Sequence, residues 1–171
     1  MSTSAEARNV AVRAHGDQKY GVFPYIVHLD AVAEICQPYG DVAQTIAYLH
    51  DVVEDTDTTL QQVRNQFGDL VAECVSLLTD QPGANRKERK AKTYARLATV
   101  VGSTEIALVV KTADRLANVR TCVVDDNQQQ WEVYEGEHLA FREAAFRQGL
   151  CPELWEELDA LLGRWRPGSR K

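Results

Sequence analysis

The sequence predicts an all-α protein, a compact bundle of about eight to ten helices. Successive segments read as helices bounded by caps and breakers, β-branched alternation is nearly absent, and no internal repeat or low-complexity stretch interrupts them. Ser4 is expected to cap a first helix running to about Ala14, followed by a loop through Gly21 and Pro24. A helix from about His28 to Cys36 stops at Pro38. Asp41 then caps a helix that carries His50 to Asp55. Thr58-x-x-Gln61 has the form of a capping box for a helix ending near Phe67-Gly68. Asp69 to Thr79 follows, stopped by Pro82-Gly83, and Arg86 to Val101 ends at Gly102. Ser103 or Thr104 opens the helix that delivers Asp114. Gln129 to Gln148 forms a long helix, and Cys151-Pro152 opens the last, with proline in the favoured first position. The tail, residues 166–171, is expected to fray.

A chain of 171 residues suffices for one domain, residues 1–171, with one core. No apolar run approaches the roughly 18–20 residues that span a bilayer, and residues 1–6 lack the basic and apolar regions of a signal peptide. Cys36, Cys74, Cys122 and Cys151 are widely spaced without a CxxC pair, the pattern of reduced, buried thiols. A cytoplasmic location is expected, with no membrane or nucleic-acid partner; homo-oligomerisation is left open. The net charge is −6. Even so, Arg86, Lys87, Arg89, Lys90, Lys92 and Arg96 face only Glu88 between positions 86 and 96. Such a segment is either a solvated helix face or a local positive field for an anion.

The densest chemistry lies in His50-Asp51-Val52-Val53-Glu54-Asp55, one imidazole and three carboxylates directly after the apolar run Thr45 to Leu49. If the helix continues through it, His50 stacks on Glu54 and Asp51 on Asp55, all within an arc of about 140°. A solvated acidic helix end has the same local pattern, so distant partners decide. His28 follows the proline turn at Pro24, and Asp114 lies near the end of the apolar run Ile106 to Ala113. Two imidazoles and two carboxylates suit Mn, Fe, Zn or Co better than Ca or Mg.

The order His28 … His50-Asp51 … Asp114 resembles the signature of the HD phosphohydrolase superfamily. The stretches Ala14 to Lys19, Pro24 to His28, His50 to Asp57, Phe67 to Val71 and Lys111 to Arg120 are similar to blocks of the hydrolase domain of the Rel/Spo stringent-response proteins. This similarity runs from about Ala5 to Arg147. The length of the chain resembles the stand-alone small alarmone hydrolases, which include the metazoan Mesh proteins. The resemblance implies a single HD domain with His28, His50, Asp51 and Asp114 holding one divalent transition ion, expected to be Mn2+. It implies hydrolysis of the 3′-pyrophosphate of the nucleotide (p)ppGpp, giving GDP or GTP and pyrophosphate. Glu54 and Asp55 are expected as the catalytic groups that orient or deprotonate water and carry a proton to the leaving ribose oxygen. Lys19, Lys111 and Asn118 are expected at the substrate. Tyr20 stands where a second basic residue is often found, and Ala117 where His or Tyr is usual. Two other classes compete: an HD phosphatase acting on the 2′-phosphate of NADPH or on another nucleotide, and a silent nucleotide-binding module.

The remaining polar residues read as structural. His15 is expected to pack or support the site, His138 to pack or lie on the surface, and Arg115 to brace its helix or an acidic neighbour. Trp131, Trp155 and Trp165 are expected in the core or an interface, while Tyr134 and Glu135 lie where the family has nucleotide-pocket residues.

Overall fold

In the computed structural model, which describes residues 3–164, polar caps and glycine breaks divide the chain into ten α-helical segments. These are α1 (Ser4–His15), α2 (Ile26–Cys36), α3 (Asp41–Leu49), α4 (Val52–Asp55), α5 (Leu60–Phe67), α6 (Asp69–Leu78), α7 (Arg86–Leu97), α8 (Ile106–Val124), α9 (Gln128–Ala145) and α10 (Pro152–Arg164). The fold is all-α, as expected. Where a loop was expected between the first two helices, a hairpin of two-residue strands forms, β1 (Lys19–Tyr20) antiparallel to β2 (Phe23–Pro24). Gly21 turns it at φ +59°, a conformation that costs glycine nothing. Trp165 and the tail expected to fray lie outside the described residues.

Several boundaries move, each for a local reason. Thr3 rather than Ser4 caps α1, in a capping box with Glu6, and the Ser4 hydroxyl donates to Asp41 Oδ1 at 2.6 Å. Asp41 is therefore the first residue of α3, behind Gly40. The second capping box is Thr59 with Gln62, one residue later than expected, because Thr58 is engaged with Thr56: its amide donates to the Thr56 hydroxyl at 3.1 Å, whose own hydrogen goes to the Val52 carbonyl. The helix expected to reach Val101 ends at Leu97, and Arg147 donates to the freed carbonyls of Leu97, Ala98 and Val100. A 3₁₀ turn, Gly102–Glu105, precedes α8, so neither Ser103 nor Thr104 is its cap.

Helix α8 is the axis of the molecule. Leu108, Val110, Ala113, Leu116 and Val119 on it are fully buried, and α2, α3, α6, α9 and α10 pack around it. Each such leucine or valine contributes about 1.5–3 kcal/mol by leaving water. Helix α1 closes the far side of α3 through Ala7 and Ala11. Phe141 and Trp155 meet at 5.4 Å between ring centres and join α9 to α10, with Trp131 also buried. All four cysteines are free and buried, and burial pushes the Cys36 and Cys74 thiols up to about 12.

Candidate metal centre

The continuous helix expected through His50 is broken. Helix α3 ends at Leu49, and α4 restarts at Val52 after Asp51 at φ −105°, ψ −5°. The cause is the His50 ring, whose Nδ1 lies 2.7 Å from the Ala47 carbonyl. In a continuing helix that carbonyl would serve the amide of residue 51, so a side chain competes with the ladder. His50 and Glu54 are consequently not stacked along one helix face.

The same bond fixes the tautomer. Nδ1 donates to the carbonyl, which turns the lone pair of Nε2 toward the interior. His50 Nε2 is buried and makes no hydrogen bond, although Asp51 Oδ2 is 3.0 Å and Asp114 Oδ1 3.6 Å away. His28 Nε2, brought in by α2, is 3.2 Å from Asp114 Oδ1. Ligand-type atoms of His28, His50 and Asp51 all lie within 4.8 Å of one another. The orphaned Nε2 and the two carboxylates around it fit a divalent cation. Asp51 and Asp114 are held at the donor set from outside: the Tyr25 hydroxyl donates to Asp51 Oδ2 at 2.5 Å, and Asn118 Nδ2 donates to Asp114 Oδ1 at 2.7 Å.

The electrostatics agree with this arrangement. Burial disfavours the His50 imidazolium, yet Asp51 and Asp114 outweigh it and raise its pKa well above that of free imidazole. Burial likewise works to raise Asp114, but Lys111, His28 and His50 hold it well below the carboxylate range. A cation arriving between these carboxylates would replace that proton. Tyr25, desolvated and beside Asp51, keeps its proton far into the alkaline range and stays a donor.

Glu54 and Asp55 leave α4 in different directions. Glu54 Oε2 accepts from the Asp80 amide at 2.8 Å, at the start of the loop between α6 and α7. Desolvation, with the Asp80 and Asp51 charges, raises its carboxyl despite that amide. Asp80 is held in turn by Lys90 at 2.7 Å and by the Thr93 hydroxyl at 3.2 Å. Asp55 Oδ2 accepts from Gln18 Nε2 at 2.9 Å, in the segment between α1 and β1.

The residues expected at the substrate divide. Lys19 is exposed on β1. Asn118 lines a cavity of about 960 Å³ between the hairpin, α2, α8 and the start of α9. Tyr20 and Tyr134 also line it, and Tyr20 touches the candidate metal centre as well. Its ring stacks on His28 at 4.7 Å, and its hydroxyl donates to Asn118 Oδ1 at 2.8 Å. Lys111 differs from its expected place. It is buried, with its ammonium 3.5 Å from Asp114 Oδ2 and 3.4 Å from the Leu78 carbonyl, so in this arrangement it braces a candidate ligand. The apolar run in which it sits was the signal for that burial.

Much of the basic segment is also engaged. Arg86 pairs with Glu137 at 2.7 Å, Lys92 with Glu88 at 2.7 Å, and Arg96 donates to the Ser76 carbonyl at 3.0 Å. Arg115 braces Glu137 at 3.0 Å and lies over the Tyr134 ring at 4.7 Å. His138 pairs with Asp159 at 2.7 Å. Sequence reasoning did not single out Tyr25 or Asp80; nothing in a linear motif marks a tyrosine on a ligand or a backbone amide on Glu54.

Comparison with known proteins identifies the family. The model of the HD domain family matches residues 7–151. A guanosine-3′,5′-bis(diphosphate) 3′-pyrophosphohydrolase of Aquifex aeolicus is 31% identical over 147 residues, covering 84% of this chain and 21% of that one. A GTP pyrophosphokinase of Streptomyces coelicolor is 33% identical, over 88% of this chain and 18% of that one. The chain thus spans about a fifth of the length of these relatives. A solved structure of a metazoan ortholog of SpoT, described as hydrolysing ppGpp, superimposes with a TM-score of 0.79 at 26% identity, covering 94% of this chain and 93% of that one. No helix among the described residues is long and apolar enough to cross a membrane. With a family model matched over most of its length and a two-histidine, two-carboxylate cluster at the break in its third helix, the chain belongs to the HD domain family.

Proposed function

We propose that this chain is a single HD phosphohydrolase domain that hydrolyses the 3′-pyrophosphate of (p)ppGpp, releasing GDP or GTP and intact pyrophosphate. The observation that carries the reading is the convergence of His28, His50, Asp51 and Asp114 beside two anchored carboxylates and a cavity of about 960 Å³. That volume lies within the range of small-molecule sites, about 300–1,000 Å³. The name of the Aquifex relative and the metazoan structure support the same substrate. The four residues are proposed to hold one transition ion, manganese. Such an ion would make water a stronger nucleophile near neutral pH and would offset charge on the phosphoryl oxygens.

The chain's own groups do the rest. Asp55, its Oδ2 tied to Gln18, turns Oδ1 to orient the attacking water and take up its proton. Water attacks the phosphorus attached to the ribose 3′-oxygen, and the bond between that phosphorus and O3′ breaks. Glu54 keeps Oε2 on the Asp80 amide and delivers a proton from Oε1 to O3′; desolvation, with the Asp80 and Asp51 charges, raises its carboxyl above the ordinary value, which favours the proton-carrying form. Lys19 and Asn118 are proposed to meet the nucleotide from the hairpin and from α8, with Lys111 acting through Asp114.

Turnover of ppGpp in labelled water by the manganese-loaded protein tests this. Solvent oxygen is expected in pyrophosphate and not in GDP. Stepwise release of orthophosphate, or no ppGpp turnover beside brisk NADPH dephosphorylation, would overturn the reading.

A further inference from the structure

We infer that His15 and Gln18 form a positioning relay that aims Asp55; the link to catalysis rests on the role proposed above for Asp55. The two residues are three apart at the end of α1. There, Gly16 at φ +48° turns the chain and the Gln18 amide donates to the His15 carbonyl at 2.9 Å, folding both side chains together. A carboxylate only accepts, so Gln18 must present its Nε2 hydrogens to Asp55 Oδ2, 2.9 Å away. Gln18 Oε1 then faces His15 Nδ1 at 2.8 Å, and Nδ1 must carry the proton. His15 Nε2 is buried without a hydrogen-bond partner, so among its ring nitrogens only Nδ1 is engaged, and it is engaged with this amide. The ring cannot swing away. It is buried at 7% exposure and stacked on Tyr25 at 4.5 Å, the same tyrosine that donates to Asp51.

The relay therefore has a direction. The Nδ1 hydrogen fixes which end of the Gln18 amide faces Asp55, and the amide fixes which Asp55 oxygen is occupied. With Oδ2 taken, Oδ1 is left for water. A flipped Gln18 would set its carbonyl against a carboxylate, a repulsion that the His15 hydrogen bond prevents. Neither residue touches the substrate or the reacting atoms; both act through Asp55.

Nitrogen NMR and kinetics test the relay separately. In the native protein His15 is expected as the Nδ1-protonated tautomer, and Asp55→Asn and His15→Ala should each shift the Gln18 side-chain amide signals. If neither substitution moves them, the relay does not exist, whatever the substrate. With ppGpp, Gln18→Ala should lower kcat roughly 10- to 100-fold, as for a misaimed catalytic group, with KM and metal content within about twofold of native. His15→Ala should show a smaller loss that His15→Asn, which keeps an N–H near the Nδ1 position, restores. The double variant His15→Ala, Gln18→Ala should be no slower than Gln18→Ala alone; additive losses would overturn the relay. Coupled Gln18 signals in a protein that does not turn over ppGpp would uphold the relay and reject the substrate.

Discussion

Glu54 and Asp55 are neighbours in the chain, yet they are held by opposite sides of the molecule and by different physics. Asp55 is held by an uncharged side-chain amide, backed by a stacked imidazole, all within residues 15–25. Glu54 is held by a backbone amide whose position depends on the Lys90–Asp80 ion pair across the loop from α6 to α7. The first support is local and independent of charge. The second reaches across distant segments and depends on two ionised groups staying paired. Burial beside Lys111 pulls the Lys90 ammonium down even as Lys90 lowers Asp80, so the pair gains on the carboxylate side and loses on the ammonium side. The carboxylate side prevails, because two hydrogen-bond donors, Lys90 and Thr93, converge on it.

Removing the metal should erase the comparison. Asp114→Ala takes away a carboxylate within 3.6 Å of both histidines, so metal content and turnover should both vanish. Elemental analysis beside the rate assay checks it, and full metal occupancy would remove Asp114 from the ligand set. Next come the carboxylates themselves. Glu54→Gln and Asp55→Asn should each keep the metal and slow turnover by about 10²–10⁴-fold, the usual worth of a positioned acid or base. Their pH–rate profiles should differ: loss of the raised carboxyl of Glu54 should flatten the alkaline limb, which Asp55→Asn should leave in place.

Weakening one support should act on one side alone. Lys90→Met leaves Asp80 without its cation and frees the loop that carries the amide, so turnover should fall by about 10-fold through Glu54. Combined with Glu54→Gln it should cost nothing further, whereas combined with Asp55→Asn the losses should multiply. Kinetics of the two double variants decide this.

The smallest effect concerns the far side of α7, where Glu137 joins Arg86 to Arg115. Burial works to raise Glu137, but the two guanidiniums prevail and its carboxyl lies below the ordinary value. The folded form thus binds its proton more weakly than the unfolded chain. Stability from this group is present in full above the ordinary glutamate range, near 4.3, and is lost as pH falls through the folded value. Glu137→Gln should therefore cost about 1–2 kcal/mol at pH 7, discounted because Arg86 is half open to solvent, and less at pH 3. Urea unfolding at the two pH values checks it; an equal cost at both would mean that packing, not charge, is lost.

The supports differ just as much in how readable they are. His28, His50, Asp51 and Asp114 could be picked out because donor type and order in the chain carry the signal. Helix α8 was legible from its apolar run. His15 and Gln18 lie in the stretch Ala14 to Lys19 that resembles the family, but nothing in that stretch marks them as a pair acting on Asp55. The hold on Glu54 was invisible, since it comes from a backbone amide 26 residues away. The capping box was misplaced by one because Thr58-x-x-Gln61 and Thr59-x-x-Gln62 have the same form; only the Thr56 hydroxyl chooses between them. The break after Leu49 escaped because helix propensity says nothing of a ring that takes a carbonyl out of the ladder.

That ring ties shape to chemistry in a way that bears on how such a protein can change over generations. The imidazole proposed to face the cation also sits at the bend, so a replacement at His50 would remove a proposed ligand and release the Ala47 carbonyl to the helix ladder in one step. Glu54 and Asp55 would then rotate off both anchors together. No intermediate sequence keeps the corner while trading the ligand for something else, unless a different side chain first learns to occupy the Ala47 carbonyl. Drift at this position is closed to small steps, whereas Gln18, Lys90 and the other outer supports can be exchanged one at a time with the corner intact.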